Sequence, residues 1–150
     1  MTDSLSKAGI LLIDKKRGPT SHDVVASLRR LLGIKKIGHS GTLDPMASGL
    51  MVMCVGDFTR LNPWLARADK TYEATILLGA TSNTDDEEGV INNTVGVTPP
   101  DLDLVERVIA RFKGEIRQIP PDFSAIRIGG VRSHMLARKG KKTNLTPRQV

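Results

Sequence analysis

An α+β fold, with helices packed on a mixed but mainly antiparallel sheet, is predicted by two observations. Apolar strand-like runs and stretches of helical period are interspersed along the chain, and several connections have hairpin composition. No internal repeat or low-complexity segment argues for another architecture. Gly9-Ile10-Leu11-Leu12-Ile13 reads as a buried strand ending in the basic turn Asp14-Lys15-Lys16-Arg17-Gly18-Pro19. A helix follows, capped by Thr20 or Ser21. Asp23 sits at its positive end, and Val24, Val25, Leu28, Leu31 and Leu32 share one apolar face up to Gly33. Arg29 and Arg30 fall off that face. A glycine-rich loop precedes a strand over residues 50–55, and a short helical stretch over 59–65 is interrupted by Pro63. Residues 70–78 alternate, with Tyr72, Ala74, Ile76 and Leu78 on one side, which predicts a strand of a one-sided sheet. The polar, acidic stretch 79–89 predicts a loop, with a short strand near Val90-Ile91 before the break at Pro99-Pro100. Asp101 opens a second helix whose face is Leu104, Val105, Val108, Ile109 and Phe112, and Gly114 ends it. Strands over 115–119 and 124–128 flank Pro120-Pro121, Gly129-Gly130 makes a turn, and a short helix covers 133–139.

A length of 150 residues suits one domain with a real core. Twenty-two Lys and Arg against sixteen Asp and Glu leave a net charge of +6, which favours a polyanionic partner. Lys15, Lys16, Arg17, Arg29, Arg30, Lys35 and Lys36 load the first third. Arg127, Arg132, Arg138, Lys139, Lys141, Lys142 and Arg148 load the end. Taken alone, either cluster could be solvated surface; on both sides of the glycine-rich loop they form a candidate phosphate-contacting surface. Cys54, the only cysteine, lies in an apolar run, so it is a structural thiol and neither a disulfide within the chain nor a cysteine metal site is open to it. The polar start, residues 1–7, carries no signal-peptide stretch and no apolar run approaches bilayer length, so a cytoplasmic protein with no membrane contact is expected. His22, His39 and His134 lack metal-ligand spacing, Asp85 to Glu88 lack the calcium-loop glycine, and no phosphate-cradling glycine motif occurs. No metal or cofactor is expected.

Gly38-His39-Ser40-Gly41-Thr42-Leu43-Asp44-Pro45-Met46-Ala47-Ser48-Gly49-Leu50 carries the chemistry. Gly38, Gly41 and Gly49 let backbone pass close to a large ligand, Pro45 fixes the chain after Asp44, and His39 adds a flat polar ring. An isolated Asp-Pro is ordinarily a turn or a cap. The whole run in register resembles the central motif of the TruB family of tRNA pseudouridine synthases, whose aspartate is the catalytic nucleophile. Further matches run from about Ile10 onward: Asp14-Lys15 through Gly18-Pro19-Thr20-Ser21-His22-Asp23, Gly56 through Thr59-Arg60, Asp69-Lys70-Thr71-Tyr72, Leu78-Gly79 through Gly89, Phe112-Lys113-Gly114, and Gln118 through Pro120-Pro121 to Ser124-Ala125-Ile126. The loop over 79–89 favours the stand-alone tRNA branch over the guide-RNA-dependent one.

The resemblance implies a pseudouridine synthase fold acting on the T-loop uridine of tRNA, without a cofactor. Asp44 would be the nucleophile, Tyr72 would stack on the target uracil and help move the C5 proton, and His39 would lie against displaced bases. Lys15, Gly41, Thr42, Arg60 and Lys70 would bind the RNA, although Lys70 suits a solvated strand end equally well. Three departures stand out. Lys16 replaces the family's usual proline, and His134 stands where a tyrosine is usual. Family members also continue past the point matching Val150, through a segment with an arginine that pairs with the aspartate, into a small C-terminal RNA-binding domain. Residues 1–150 are therefore expected to be the N-terminal portion of the catalytic domain, with the remainder absent and a possible partner, and with little turnover alone. Two rivals remain: a non-catalytic RNA-binding or RNA-folding module that kept the motif, and a water-using glycoside or nucleoside hydrolase. The hydrolase needs a second positioned carboxylate, for which Asp14, Asp57 and Asp69 are candidates in name only.

Overall fold

A computed structural model describes residues 8–96, 98–124, 126–141 and 145–150. The polar start over 1–7, Ala125 of one expected strand and Lys142 of the basic end lie outside the described residues, as does the His134 side chain. The chain divides into two compact units, Met1–Ala74 and Thr75–Val150.

The first unit is built on a three-stranded antiparallel sheet, β1 (Gly9–Lys15), β2 (Ile37–His39) and β3 (Gly49–Val55), in the order β1-β3-β2. The two-residue period of a strand puts Leu11, Ile13 and Lys15 on one face of β1, opposite Met53, Met51 and Gly49 of β3. Across that face lies α1 (Ser21–Leu32), and Val25, Leu28, Ile37, Met51, Met53 and Val55 form the buried core between them. Ile10, Leu12 and Leu50, on the other face, are exposed. Leu31, expected in the apolar face of the helix, is 80% exposed, because the contacting stripe is narrower than the apolar one. β2 was not anticipated: its three residues are too few for an alternation to register.

The start of α1 is a complete capping box. Thr20 Oγ1 accepts from the Asp23 N–H at 3.1 Å, while the Asp23 carboxylate accepts from the Thr20 N–H at 2.8 Å. The Thr20 hydroxyl also donates to that carboxylate at 2.6 Å, and these bonds hold Asp23 below its ordinary pKa. A depressed folded-state pKa contributes stability above the unfolded value that is lost as pH falls through the folded one. Acidification from pH 5 toward pH 2 is therefore expected to fray α1, read as loss of the helical circular-dichroism signal, and Asp23→Asn should flatten that loss. Gly33, at φ 66°, ends the helix in the left-handed region.

After β3 come a 3-10 turn, Gly56–Leu61, and α2 (Asn62–Leu65). Pro63 does not interrupt this stretch; it sits in the first turn of α2, where no N–H partner is needed. The strand expected over residues 70–78 is absent. Residues 71–77 have no regular structure and residues 71–78 are exposed, because alternation is only half of a strand and a neighbouring backbone must supply the hydrogen bonds.

The second unit contains the hairpin β4 (Ala80–Ser82) and β5 (Ile91–Asn93), so the acidic stretch over 79–89 holds a short strand at its start. Asp101 caps α3 (Leu102–Ala110) by accepting from the Leu104 N–H, and the helix ends before Phe112. None of its residues is buried. β6 (Arg117–Gln118), β7 (Arg127–Ile128) and β8 (Val131–Arg132) are two-residue strands, shorter than expected, with β7 and β8 joined through Gly129-Gly130 at positive φ. They are followed by α4 (Ser133–Ala137) and β9 (Arg148–Gln149), which pairs with β6. Every strand pairing described is antiparallel, so the α+β expectation is met, but in four small sheets rather than one. Among the described residues no helix is long and apolar enough to cross a membrane.

Candidate functional site

The loop between β2 and β3 begins by extending the sheet, as Ser40 N–H donates to the Val52 carbonyl at 3.1 Å. Leu43 packs against the core, while the next residue, Asp44, is exposed. One side chain is thus anchored inward immediately before a carboxylate faces solvent. The backbone around that carboxylate is held from three directions. Ser21 Oγ donates to the Leu43 carbonyl at 2.8 Å and accepts from the Leu43 N–H at 2.9 Å. Lys15 Nζ donates to the carbonyls of Asp44 at 3.0 Å and Ala47 at 2.6 Å, with Pro45 at 3.4 Å and Lys16 at 3.1 Å completing its surroundings. Gly18 N–H donates to the Pro45 carbonyl at 2.8 Å, and Ala47 N–H closes a turn onto the Asp44 carbonyl at 3.0 Å.

These contacts correct one expectation. Lys15 is not a phosphate ligand at the surface: it is 1% exposed, and its ammonium is turned into the loop. Its place in the strand period, in phase with Leu11 and Ile13, was the available signal. Ser21, expected as a possible cap and as a member of the matched run over 18–23, carried no signal of its bond to Leu43; Thr20 does the capping.

His39 ends β2, half-buried, with its ring edge-on to His22 at 6.4 Å between centroids and 76° between planes. Its Nδ1 is buried without a hydrogen-bond partner among the described residues. Asn62 presses on the backbone of Gly38: a Cβ there would lie 2.5 Å from Asn62 Nδ2. Gly38→Ala is expected to cost less than about 1 kcal/mol, read from the urea midpoint, because the atom in its way is the end of the Asn62 side chain, which can turn aside. Lys70 comes to the loop by its stem, with Cε 3.6 Å from where a Cβ on Gly41 would be, and its ammonium donates to the Ala66 and Ala68 carbonyls. Thr42 and Arg60 are exposed. The charge of Arg60 acts on Asp57, whose pKa is lowered first by its hydrogen bond from Lys36. Tyr72 is 68% exposed on the segment that joins no sheet. Burial raises the Cys54 thiol, which keeps it protonated and inert. Among the described residues no three His, Cys, Asp or Glu side chains are grouped to hold a metal ion.

An exposed carboxylate on a backbone held this firmly can attack an electrophilic carbon or support positive charge there. Comparison with known proteins narrows the chemistry. Residues 29–150 match the model of the TruB family pseudouridylate synthase N-terminal domain. The chain is 45% identical over 142 residues to a tRNA pseudouridine synthase B of Mycobacterium sp. (strain KMS), covering 95% of this chain and 48% of that protein. It is 41% identical over 150 residues to the protein of the same name from Mycobacteroides abscessus, covering 100% of this chain and 50% of the relative. The chain therefore spans about half the length of these curated relatives. A chain from the crystal structure of a Cbf5-Nop10-Gar1 complex superposes with a TM-score of 0.53 at 30% identity, covering 81% of this chain and 31% of that one.

Proposed function

The chain belongs to the TruB family of pseudouridylate synthases, and from that premise we propose that it is the N-terminal part of an enzyme that isomerises a uridine in the T-arm of tRNA. The observation that supports this most is the exposed Asp44 on a backbone fixed by Lys15 and Ser21, inside the matched region. Pseudouridylation breaks the bond between uracil N1 and ribose C1′ and rejoins the base through C5. N1 gains a proton and C5 loses one, so no oxidant or reductant is consumed. Attack by the Asp44 carboxylate on C1′ would release the uracil and hold the sugar while the base turns, as a retaining glycosidase holds its sugar. The target nucleotide must leave its stack to reach that carboxylate. His39, beside the loop, is suited to the space it vacates, and Tyr72 to stacking on the base.

The test uses the natural gene product carrying this sequence and T-arm RNA tritiated at uracil C5. Tritium release together with pseudouridine in the digested RNA is the expected result. Free uracil would replace the proposal with hydrolysis. Salt-sensitive tRNA binding with no product, unchanged by Asp44→Asn, would replace it with a binding module.

A further inference from the structure

We propose that residues 75–150 hold their fold only when docked, and that the occupant of the exposed apolar face of α3 is the segment of the natural gene product that follows Val150. This rests on the chain being the N-terminal part of a longer enzyme.

The two units differ in what they bury. The core formed by Val25, Leu28, Ile37, Met51, Met53 and Val55 lies wholly within the first unit. Among the described residues of the second unit only Pro120 and Ser133 are buried. Ordering a chain costs conformational entropy that apolar burial must offset, so a unit without a core of its own needs one from outside. Its elements lead to the same conclusion. α3 is nine residues long, below the ~12–15 at which an isolated helix is even marginal in water, and so short a helix owes its stability to packing. The sheets β4–β5, β6–β9 and β7–β8 have two strands each, too few for independent stability. Yet α3 has the form of a packing helix. Asp101 caps it, and on its apolar face Leu104, Val108 and Ile109, with Phe112 just beyond its end, are 41–69% exposed.

An aliphatic stripe calls for an apolar occupant. It offers phosphates nothing, and Asp101, Asp103 and Glu106 place negative charge at the start of the helix, which repels a polyanion. The segment after Val150 has both the position and the length. The Val150 N–H and C=O both bond to Ile116, at 3.0 and 2.9 Å, so a continuing chain departs beside a residue six positions past the last of α3. This chain covers 48% and 50% of two curated relatives, so a segment about as long as the chain itself is available to cover the face. Tethering at Val150 gives that segment a high local concentration there.

Amide hydrogen exchange on the natural gene product, and on the same product cut after Val150, tests this. In the cut chain α3 should exchange about 100-fold faster than in the whole product, while the β1–β3 ladder stays equally protected in both. Ile109→Asp in the whole product should give the same fast exchange over residues 102–110, again without touching the ladder. Equal protection of α3 in the two products overturns the proposal. So does a ladder that loses protection with the cut or with Ile109→Asp, since the dependence would then not belong to the second unit. Slow exchange of α3 despite Ile109→Asp removes its apolar face as the docking surface. In the cut chain, protection restored by adding tRNA would give the face to RNA, and protection that grows with chain concentration would give it to a second copy; either result overturns the assignment. Tritium release from T-arm RNA judges the proposed function separately. Release with α3 unprotected in the whole product sinks only the docking, and docking with free uracil as the product sinks only the function.

Discussion

Asp44→Asn is expected to abolish tritium release from uracil C5, a loss on the order of 10⁴-fold, and to leave the melting temperature and tRNA affinity unchanged. The separation follows from what holds the loop. Every hydrogen bond described at residue 44 is made by its backbone, to Lys15 Nζ and to the Ala47 N–H. Asparagine keeps the shape and these backbone contacts and removes only the charge and the nucleophilic oxygen. A large drop in stability would mean that the carboxylate has a structural partner, and retained turnover would mean that another group attacks the sugar.

Met53→Ala is the second large effect, and it acts from the opposite direction. Met53 is fully buried at the centre of β3, facing α1, and its cross-strand partners are Leu11 on one side and His39 on the other. Truncating a buried methionine typically costs about 2–5 kcal/mol. Against a typical total of about 5–15 kcal/mol that is a large fraction. Urea unfolding should shift accordingly, and tRNA binding should fall with it, because β2 and β3 lead directly into and out of the Asp44 loop. A cost below about 1 kcal/mol would show that the site region has a different core.

Where chemistry and local rules coincide, the sequence was readable. Thr20 and Asp23 announced the start of α1 and Gly33 its end, because capping is decided within a few residues. The glycines and the proline around Asp44 fit its exposed place on a loop, while the role expected for it came from the resemblance of the whole run over 38–50. The place of Lys15 was misread: the strand was expected to end at Ile13 and the basic turn pointed outward, whereas β1 runs on to Lys15 and the loop carbonyls draw its ammonium inward. Ser21 was unreadable, since its bond to Leu43 joins residues 22 positions apart. The failed strand over 70–78 has the same origin: alternation is local, whereas a hydrogen-bonding neighbour is not.

A pedestal that grips peptide groups is indifferent to what it displays. The hydrogen bonds that the Lys15 and Ser21 side chains make to residues 43–47 all go to main-chain atoms, so the identity of the side chain on top is decoupled from the architecture below. Selection, or a designer, could install a thiol or a longer acid at that spot and inherit the same placement. The scaffold supplies an address, and the aspartate is one occupant of it.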